Sequence, residues 1–334
     1  LQIDFYKKAG AMPPPFSYAK DQASSYNVMR NDRGRKTGWM NMESKMKIAL
    51  CGGDARLLSA ASLFAKNGYN CTVWKCAQGD CGTATRCHEL RQAVDGIGAV
   101  ILPVPAFTSA GRLTCTSEER TSIDAHTLFA SLPPETQIYA GKAPELIRRI
   151  AGEYNLPLWD YAEQEEFSIL NAVPTAEAAI QIAMSRLPVT IAGSRFVVIG
   201  YGRVGKALAQ RLLALQGEVI VAARSKAARA AAESDGCKAV SVSQYLNAPT
   251  PSAACFNTVP APILNDEYAA GTDCRLFIDL ASAPGGFREE ARSILGDQLI
   301  TALSLPGKYS HETAGEIIYK TVEGMLRENG GITS

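Results

Sequence analysis

The chain has 334 residues, 46% of them hydrophobic and 20% charged, with a formal net charge of +1. That is enough chain for about two soluble domains with cores of their own. A charge so near zero supplies no field to hold nucleic acid or an anionic membrane, and the longest unbroken apolar runs, Gly98 to Pro103 and Phe196 to Gly200, are far too short to span a bilayer.

Residues 1–45 stand apart. "YKKAG" resembles a scar of recombination cloning, and the stretch after it is polar and aperiodic. This segment reads as an irregular leader outside the fold, with a native start expected at Met40, Met42 or Met46. From Met46 the text becomes periodic. "KIALCGGDAR" is an apolar run closing on a Gly-Gly turn, with Asp54 as the expected N-cap of the helix that follows. That helix stops at Asn-Gly, and "YNCTVW" reads as a second strand. "GAVILPVP", "QIYAG", a helix from about Pro144 to Tyr154 and "LPLWD" continue the alternation, which predicts a parallel sheet covered on both faces. Pro174 reads as the start of a connector helix with Thr175 and Glu177 in its first turn.

A second unit repeats the scheme. "RFVVIG" precedes a helix, "EVIVAAR" is a strand, and a helix runs from about Lys226 to Ser234. Strands "AACFNT" and "RLFIDLA", a helix near Glu289 to Leu295, and "QLITA" complete it. The last helix reads as capped by Ser310, with Glu312 and Glu316 toward its positive end. The fold class is therefore α/β: two doubly wound, Rossmann-like parallel-sheet domains joined by crossing helices. The divisions are a leader at 1–45, a substrate domain at 46–170, a connector at 171–190, a dinucleotide domain at 191–308, and a helix at 309–330 returning toward the first domain. Ligands in such folds sit beyond the carboxyl ends of the strands, so a cleft between the domains is the expected site.

Gly200, Gly202 and Gly205 make G-x-G-x-x-G between a strand and a helix, the setting this motif needs to hold a dinucleotide. The first glycine makes the turn, the second admits a pyrophosphate, and the third lets helix and strand pack closely. The amides that open the helix, at Arg203, Val204 and Gly205, would bind phosphate. At the end of the next strand an NAD domain usually places an acid; here stand Ala223, Arg224, Ser225 and Lys226. Two cations and a hydroxyl suit a 2′-phosphate, so NADP is expected in preference to NAD, with a solvated basic turn as the alternative. "CGGDAR" lacks the motif, so no second dinucleotide is expected. Arg56 opposes the dipole of its own helix start, which suits a residue facing a ligand anion; a solvated Arg is the alternative.

The nine cysteines are odd in number and several lie in strand-like runs, as in a protein with reduced thiols. Cys76, Cys81, Cys87 and His88 have spacings that match no usual zinc knuckle, so a thiol-rich loop is expected and no metal.

The segments "KIALCGGDAR", "VILPV", "ILNAVPTAE", "VVIGYGRVGKALA", "VAARS", "NTVP", "FIDLASAPGG" and "LPGKYSHETAGEII" together resemble the family of bacterial dipicolinate synthase A subunits, over nearly everything except residues 1–45. The resemblance implies a fold like the 2-hydroxyacid and alanine dehydrogenases. It also implies oxidation of 4-hydroxy-tetrahydrodipicolinate, or its dehydrated form, to dipicolinate with NADP as acceptor, in the cytoplasm of the mother cell of a sporulating bacterium. It further implies a second, flavoprotein-like component, the B subunit of dipicolinate synthase, with homo-oligomerisation expected as well.

That chemistry needs a hydride acceptor, a proton acceptor and partners for two carboxylates. Arg56 is the expected carboxylate partner and Thr108 a hydroxyl at the cleft edge. Asn171, Thr175 and Glu177, at the expected connector start, are candidates for the catalytic group, and the amides there for a carboxylate. Glu163, Glu165 and Glu166 are further candidate bases, though such a run is commonly a solvated face. Related dehydrogenases bring strand ends to the nicotinamide half. That selects Asn257, Thr258 and Pro260, then Asp279, Ala281 and Ser282, then Leu305, Pro306 and Gly307. His311 reads as a capping-region residue. Two alternatives stay open: a 2-hydroxyacid- or amino-acid-type dehydrogenase, against which no clear His–acid pair is found, and a non-catalytic NADP-binding partner subunit.

Overall fold

The computed structural model describes residues 45–116 and 123–330. The leader and its candidate starts at Met40 and Met42 lie outside the described residues. One sheet holds β1 (Lys45–Cys51), β2 (Tyr69–Trp74), β3 (Thr85–Cys87), β4 (Ala99–Ile101), β5 (Gln137–Ala140) and β6 (Leu158–Asp160). A second holds β7 (Arg195–Ile199), β8 (Glu218–Ala222), β9 (Lys238–Val240), β10 (Ala254–Asn257), β11 (Phe277–Asp279) and β12 (Leu299–Thr301). Their orders are β3-β2-β1-β4-β5-β6 and β12-β11-β10-β7-β8-β9, and the strand pairs of both are parallel. Counted from its own first strand, each is the 3-2-1-4-5-6 sheet of dinucleotide-binding folds. Both carry a switch point where the order reverses: between β1 and β4 in one, between β7 and β10 in the other.

Alternation along the strands buries both faces of each sheet. Ile48 and Leu50 face one core, Ala49 and Cys51 the other; Phe196 and Val198 are set against Val197 and Ile199 in the same way. The first domain is wound by α1 (Ala55–Lys66), α2 (Leu90–Val94), α3 (Ala125–Ala130) and α4 (Glu145–Glu153). The helix α1 starts where Asp54 accepts the Arg56 amide and stops at Asn67–Gly68, Gly68 taking a φ of 89°.

The connector, α5 (Glu165–Arg186), starts earlier than its sequence suggests. Pro174 lies inside it, so Asn171, Thr175 and Glu177 are mid-helix and offer no helix-start amides; Gln164 is the N-cap. The proline is tolerated because both halves of α5 are buried. Phe167 and Leu170 pack into the first domain's core, whereas Ala172, Ala176, Ala178, Ala179, Ile180 and Ala183 pack into the second's. By length and composition α5 alone among the described helices could cross a membrane. It is instead a core helix lying against the two domains.

The second domain is wound by α6 (Arg203–Ala214), α7 (Lys226–Ser234), α8 (Val242–Asn247), α9 (Asp266–Gly271) and α10 (Glu289–Leu295). After β12 comes α11 (Leu305–Tyr309), so Leu305, Pro306 and Gly307 form a helix start rather than a strand end. The final helix, α12 (His311–Glu328), follows at once. Ser310 stands at its N-cap, but its hydroxyl makes no capping bond. Ile317, Ile318, Val322, Met325 and Leu326 of α12 join Leu57, Leu58 and Phe64 of α1 in one core. Gly315 makes this close crossing possible: a Cβ there would sit 2.5 Å from Ser59 Cβ and 2.6 Å from Arg56 O.

Candidate functional site

The three glycines of "GYGRVG" have three different surroundings. Gly200 has a φ of 93°, and a Cβ on it would strike Thr258 Oγ1 and Val259. A Cβ on Gly205 would strike the Gly200 carbonyl, so this glycine sets how closely α6 approaches β7. A Cβ on Gly202 would meet no atom of the described residues within 4 Å. The turn is thus closed by protein on two sides and open where a pyrophosphate lies in such domains. The amides of Arg203, Val204 and Gly205 open α6 and have no partner within the helix, which gives them to an anion. These residues fit a dinucleotide.

Around the turn, Thr258 donates to the Ile199 carbonyl through both its amide and its hydroxyl, each at 2.9 Å, tying the end of β10 to β7. The Tyr201 phenol donates to Asp235 Oδ2 at 2.7 Å, and Lys206 joins the same oxygen at 3.3 Å. Burial, reinforced by that carboxylate, pushes the Tyr201 phenol up, so it stays a donor and anchors the turn to the end of α7. Arg203 is ion-paired with Glu165 at the start of α5.

At the end of β8, Ser225 caps α7 by accepting the Ala228 amide at 3.0 Å. Arg229 donates to the carbonyls of Ala223 and Arg224 at 2.9 and 2.8 Å, fixing this turn from below. The side chains of Arg224 and Lys226 are exposed and have no partner among the described residues.

The strand ends expected beneath the nicotinamide are more occupied than their residue types suggest. Asn257 and Asp279 are fully buried, and Asn257 Nδ2 donates to Asp279 Oδ1 at 2.8 Å. Asp279 also accepts from the amides of Ala281 (3.3 Å) and Gly286 (3.0 Å) and from Arg292 Nη2 (3.2 Å). A Cβ on Gly286 would collide with the Asn257 amide, and one on Gly285 would lie 2.7 Å from Asp279 Oδ2. "DLASAPGG" is therefore a loop wrapped around a buried carboxylate. The side chains of Asn257 and Asp279 brace that loop. Ser282 and Pro260 are exposed at the same edge, while Ala281, Leu305 and Pro306 are buried.

In the first domain Arg56 is buried and bound twice over. Its Nε and Nη2 grip Asp54, with Nη2–Oδ2 at 2.8 Å, and Nη2 also donates to Val104 O at 2.7 Å. Asp54 offsets the charge that the helix start disfavours. Nη1 carries no bond to any described residue. Gly307 of α11 rests on this pair: a Cβ there would be 2.6 Å from Asp54 Oδ2 and 3.0 Å from Arg56 Nε. The segment that follows β12 thus meets the turn that follows β1.

The other expected groups are spent elsewhere. Thr108 is exposed in a turn, its hydroxyl accepting the Arg112 amide at 3.3 Å. Glu177 is exposed and paired with Arg211 of α6 at 3.1 Å, and the Thr175 hydroxyl donates to Asn171 O inside the helix. Glu163 is paired with Arg148. His126 meets Glu153 at 3.9 Å on the surface, and His311 is exposed. All nine cysteines are free thiols, and among the described residues no group of three or more His, Cys, Asp or Glu could hold a metal ion.

Residues 47–162 match the family model for the N-terminal domain of the dipicolinate synthase A subunit, and residues 175–250 match the one for the NAD binding domain of D-isomer specific 2-hydroxyacid dehydrogenases. With the open glycine turn, these define a two-domain oxidoreductase whose second domain is a dehydrogenase-type dinucleotide domain. Within that class the chain is similar to the A subunit of dipicolinate synthase. The Bacillus subtilis (strain 168) protein of that name is 29% identical over 290 residues, covering 86% of this chain and 98% of the relative. The crystal structure of the dipicolinate synthase A subunit from Bacillus halodurans is 25% identical with a TM-score of 0.75, covering 84% of this chain and 97% of that one. The apo-structure of D-lactate dehydrogenase from Escherichia coli, 13% identical with a TM-score of 0.53 over 86% of this chain and 98% of its own, shares the fold alone.

Proposed function

We propose that this chain is the nicotinamide-dependent subunit of a dipicolinate-forming oxidation, with NADP as the acceptor. The observation that carries the reading is the contact at Gly307, where the segment leaving the second sheet rests on the Asp54–Arg56 pair of the first. An open dinucleotide turn belongs to one sheet. A buried, oriented guanidinium belongs to the other, in the domain matched to the dipicolinate synthase A subunit.

A dihydropyridine dicarboxylate loses a hydride from one ring carbon and a proton from its neighbour, and the ring becomes aromatic. A 4-hydroxylated tetrahydropyridine first loses water, then the same two hydrogens. Bound NADP would accept the hydride and become NADPH. The protein's own part is positional. Arg56, oriented by Asp54 and Val104 O, presents Nη1 to one carboxylate. The Asp279–Asn257–Arg292 brace fixes the loop under the nicotinamide half. Arg224 and Lys226 receive the 2′-phosphate, with Arg224 able to take it through two parallel bonds. The reading includes a flavoprotein-like second subunit, association of like chains, and a cytoplasmic setting in a sporulating cell.

Mixing the purified chain with that second subunit, NADP and the hydroxylated intermediate should yield dipicolinate and NADPH in equal amounts by absorbance. No product from the mixture would refute the reading. Product from this chain alone would refute the need for the partner.

A further inference from the structure

The residue after "QIYAG" does something the dinucleotide machinery does not use. Gly141 continues β5 beyond its last ladder residue: its amide donates to Pro103 O at 3.1 Å, and its carbonyl accepts the Ala106 amide at 2.7 Å. It is packed so tightly that a Cβ would lie 2.5 Å from Val104 Cβ and 2.8 Å from the Tyr161 hydroxyl. Lys142 comes next, with a left-handed φ of 51°. For a side chain with a Cβ that conformation costs on the order of 1 kcal/mol or more, and glycine would adopt it freely.

The backbone is held in that state by a buried carboxylate. Asp160 accepts the amides of Lys142 at 2.9 Å and Ala143 at 2.7 Å. It also takes the Ala162 amide at 2.9 Å and Arg148 Nη2 at 3.1 Å, so its own position is fixed. Lys142 itself is exposed, and its ammonium makes no hydrogen bond or ion pair with any described residue. Lys75 offers a contrast. It has the same φ at the carboxyl end of β2, but its ammonium lies over the Trp74 ring, 5.3 Å from the centroid.

Lys142 and Arg56 follow the two strands that flank β4. Arg56 follows β1 and donates to Val104 O in the loop beyond β4, and Lys142 follows β5, next to β4 on its other side. The strands they follow, β1 and β5, are two strand spacings apart, roughly 10 Å, a gap that two long side chains from the same sheet edge can close on one small ligand. Resting on the dicarboxylate reading above, we infer that Lys142 is a substrate-positioning residue. It binds the second carboxylate of a pyridine-2,6-dicarboxylate-type ligand, and Arg56 binds the first.

The test is calorimetric titration of the full chain, saturated with NADPH, with dipicolinate and with picolinate, which lacks one carboxylate. Lys142→Gly relieves the backbone and removes the charge, whereas Lys142→Arg keeps the charge. Lys142→Gly should weaken dipicolinate at least tenfold, leave picolinate within about twofold, and melt no lower than wild type; Lys142→Arg should recover most of the dipicolinate affinity. Unchanged dipicolinate binding in Lys142→Gly, or equal loss of both ligands, would overturn the inference. A wild-type chain that binds neither ligand would overturn the proposed function, and this inference with it.

Discussion

The two domains share one topology yet treat their glycine turns in opposite ways. In "GYGRVG" the middle glycine faces open space and the helix amides are unspent. In "CGGDAR" the chain fills its own turn. The Gly53 amide donates to Thr114 O at 2.7 Å, Thr116 Oγ1 donates to Gly53 O at 3.0 Å, and a Cβ on Gly52 would lie 2.7 Å from Thr114 O and 3.0 Å from Leu113. The loop after β4 thus packs onto this turn, where the other domain leaves its turn open. The same fold holds a cofactor where the turn is open and builds an anchored Arg56 where it is closed. Whether a Rossmann-like sheet binds a dinucleotide is decided at the turn.

The comparison breaks first at Gly202. Gly202→Ala sets a methyl in the open space with no described atom within 4 Å, so dinucleotide affinity, read by NADPH fluorescence, should fall at least about tenfold with the melting temperature unchanged. Next is Asp279→Ala. It strands Arg292, two amides and Asn257 around a buried void, so urea unfolding should show a loss of about 3–5 kcal/mol. The matching test on the closed turn is Gly53→Ala. There φ is 81° and Pro103 and Leu57 stand at 3.0–3.1 Å, so stability should drop by about 1–3 kcal/mol while NADPH affinity holds.

These outcomes also show what could be read from the sequence. The glycine loop and α7 were legible because their determinants are local: strand, turn, cap and stop lie within about a dozen residues. Asp54 was legible as a cap for the same reason. Thr114 on Gly53, and Asn257 on Asp279, were not, because the partners are set by strand order rather than spacing. The start of α5 was misplaced because Pro174 follows the local rule for a helix start, and the burial of both halves of α5 overrides that rule. As a result Asn171, Thr175 and Glu177 lost their expected place. Lys142 is silent in the sequence because its signal is a backbone angle, which its residue type conceals.

Smaller effects sharpen the picture. Arg224→Asp should weaken NADPH about tenfold or more and NADH within about threefold; equal losses would overturn the NADP assignment. Burial pushes the Cys71 and Cys76 thiols up to about 12 from 9.0. Between those values the folded chain keeps protons that the unfolded chain has released. Stability should therefore fall as pH rises above about 9, by about 1.4 kcal/mol per pH unit per thiol. Urea midpoints measured from pH 8 to 10.5 would show it.

The most direct measurement of the central claim is the stoichiometry of NADPH binding to the wild-type chain by calorimetry. An open turn in one domain and a self-filled turn in the other predict one site per chain. Two sites per chain, or none, would contradict the account.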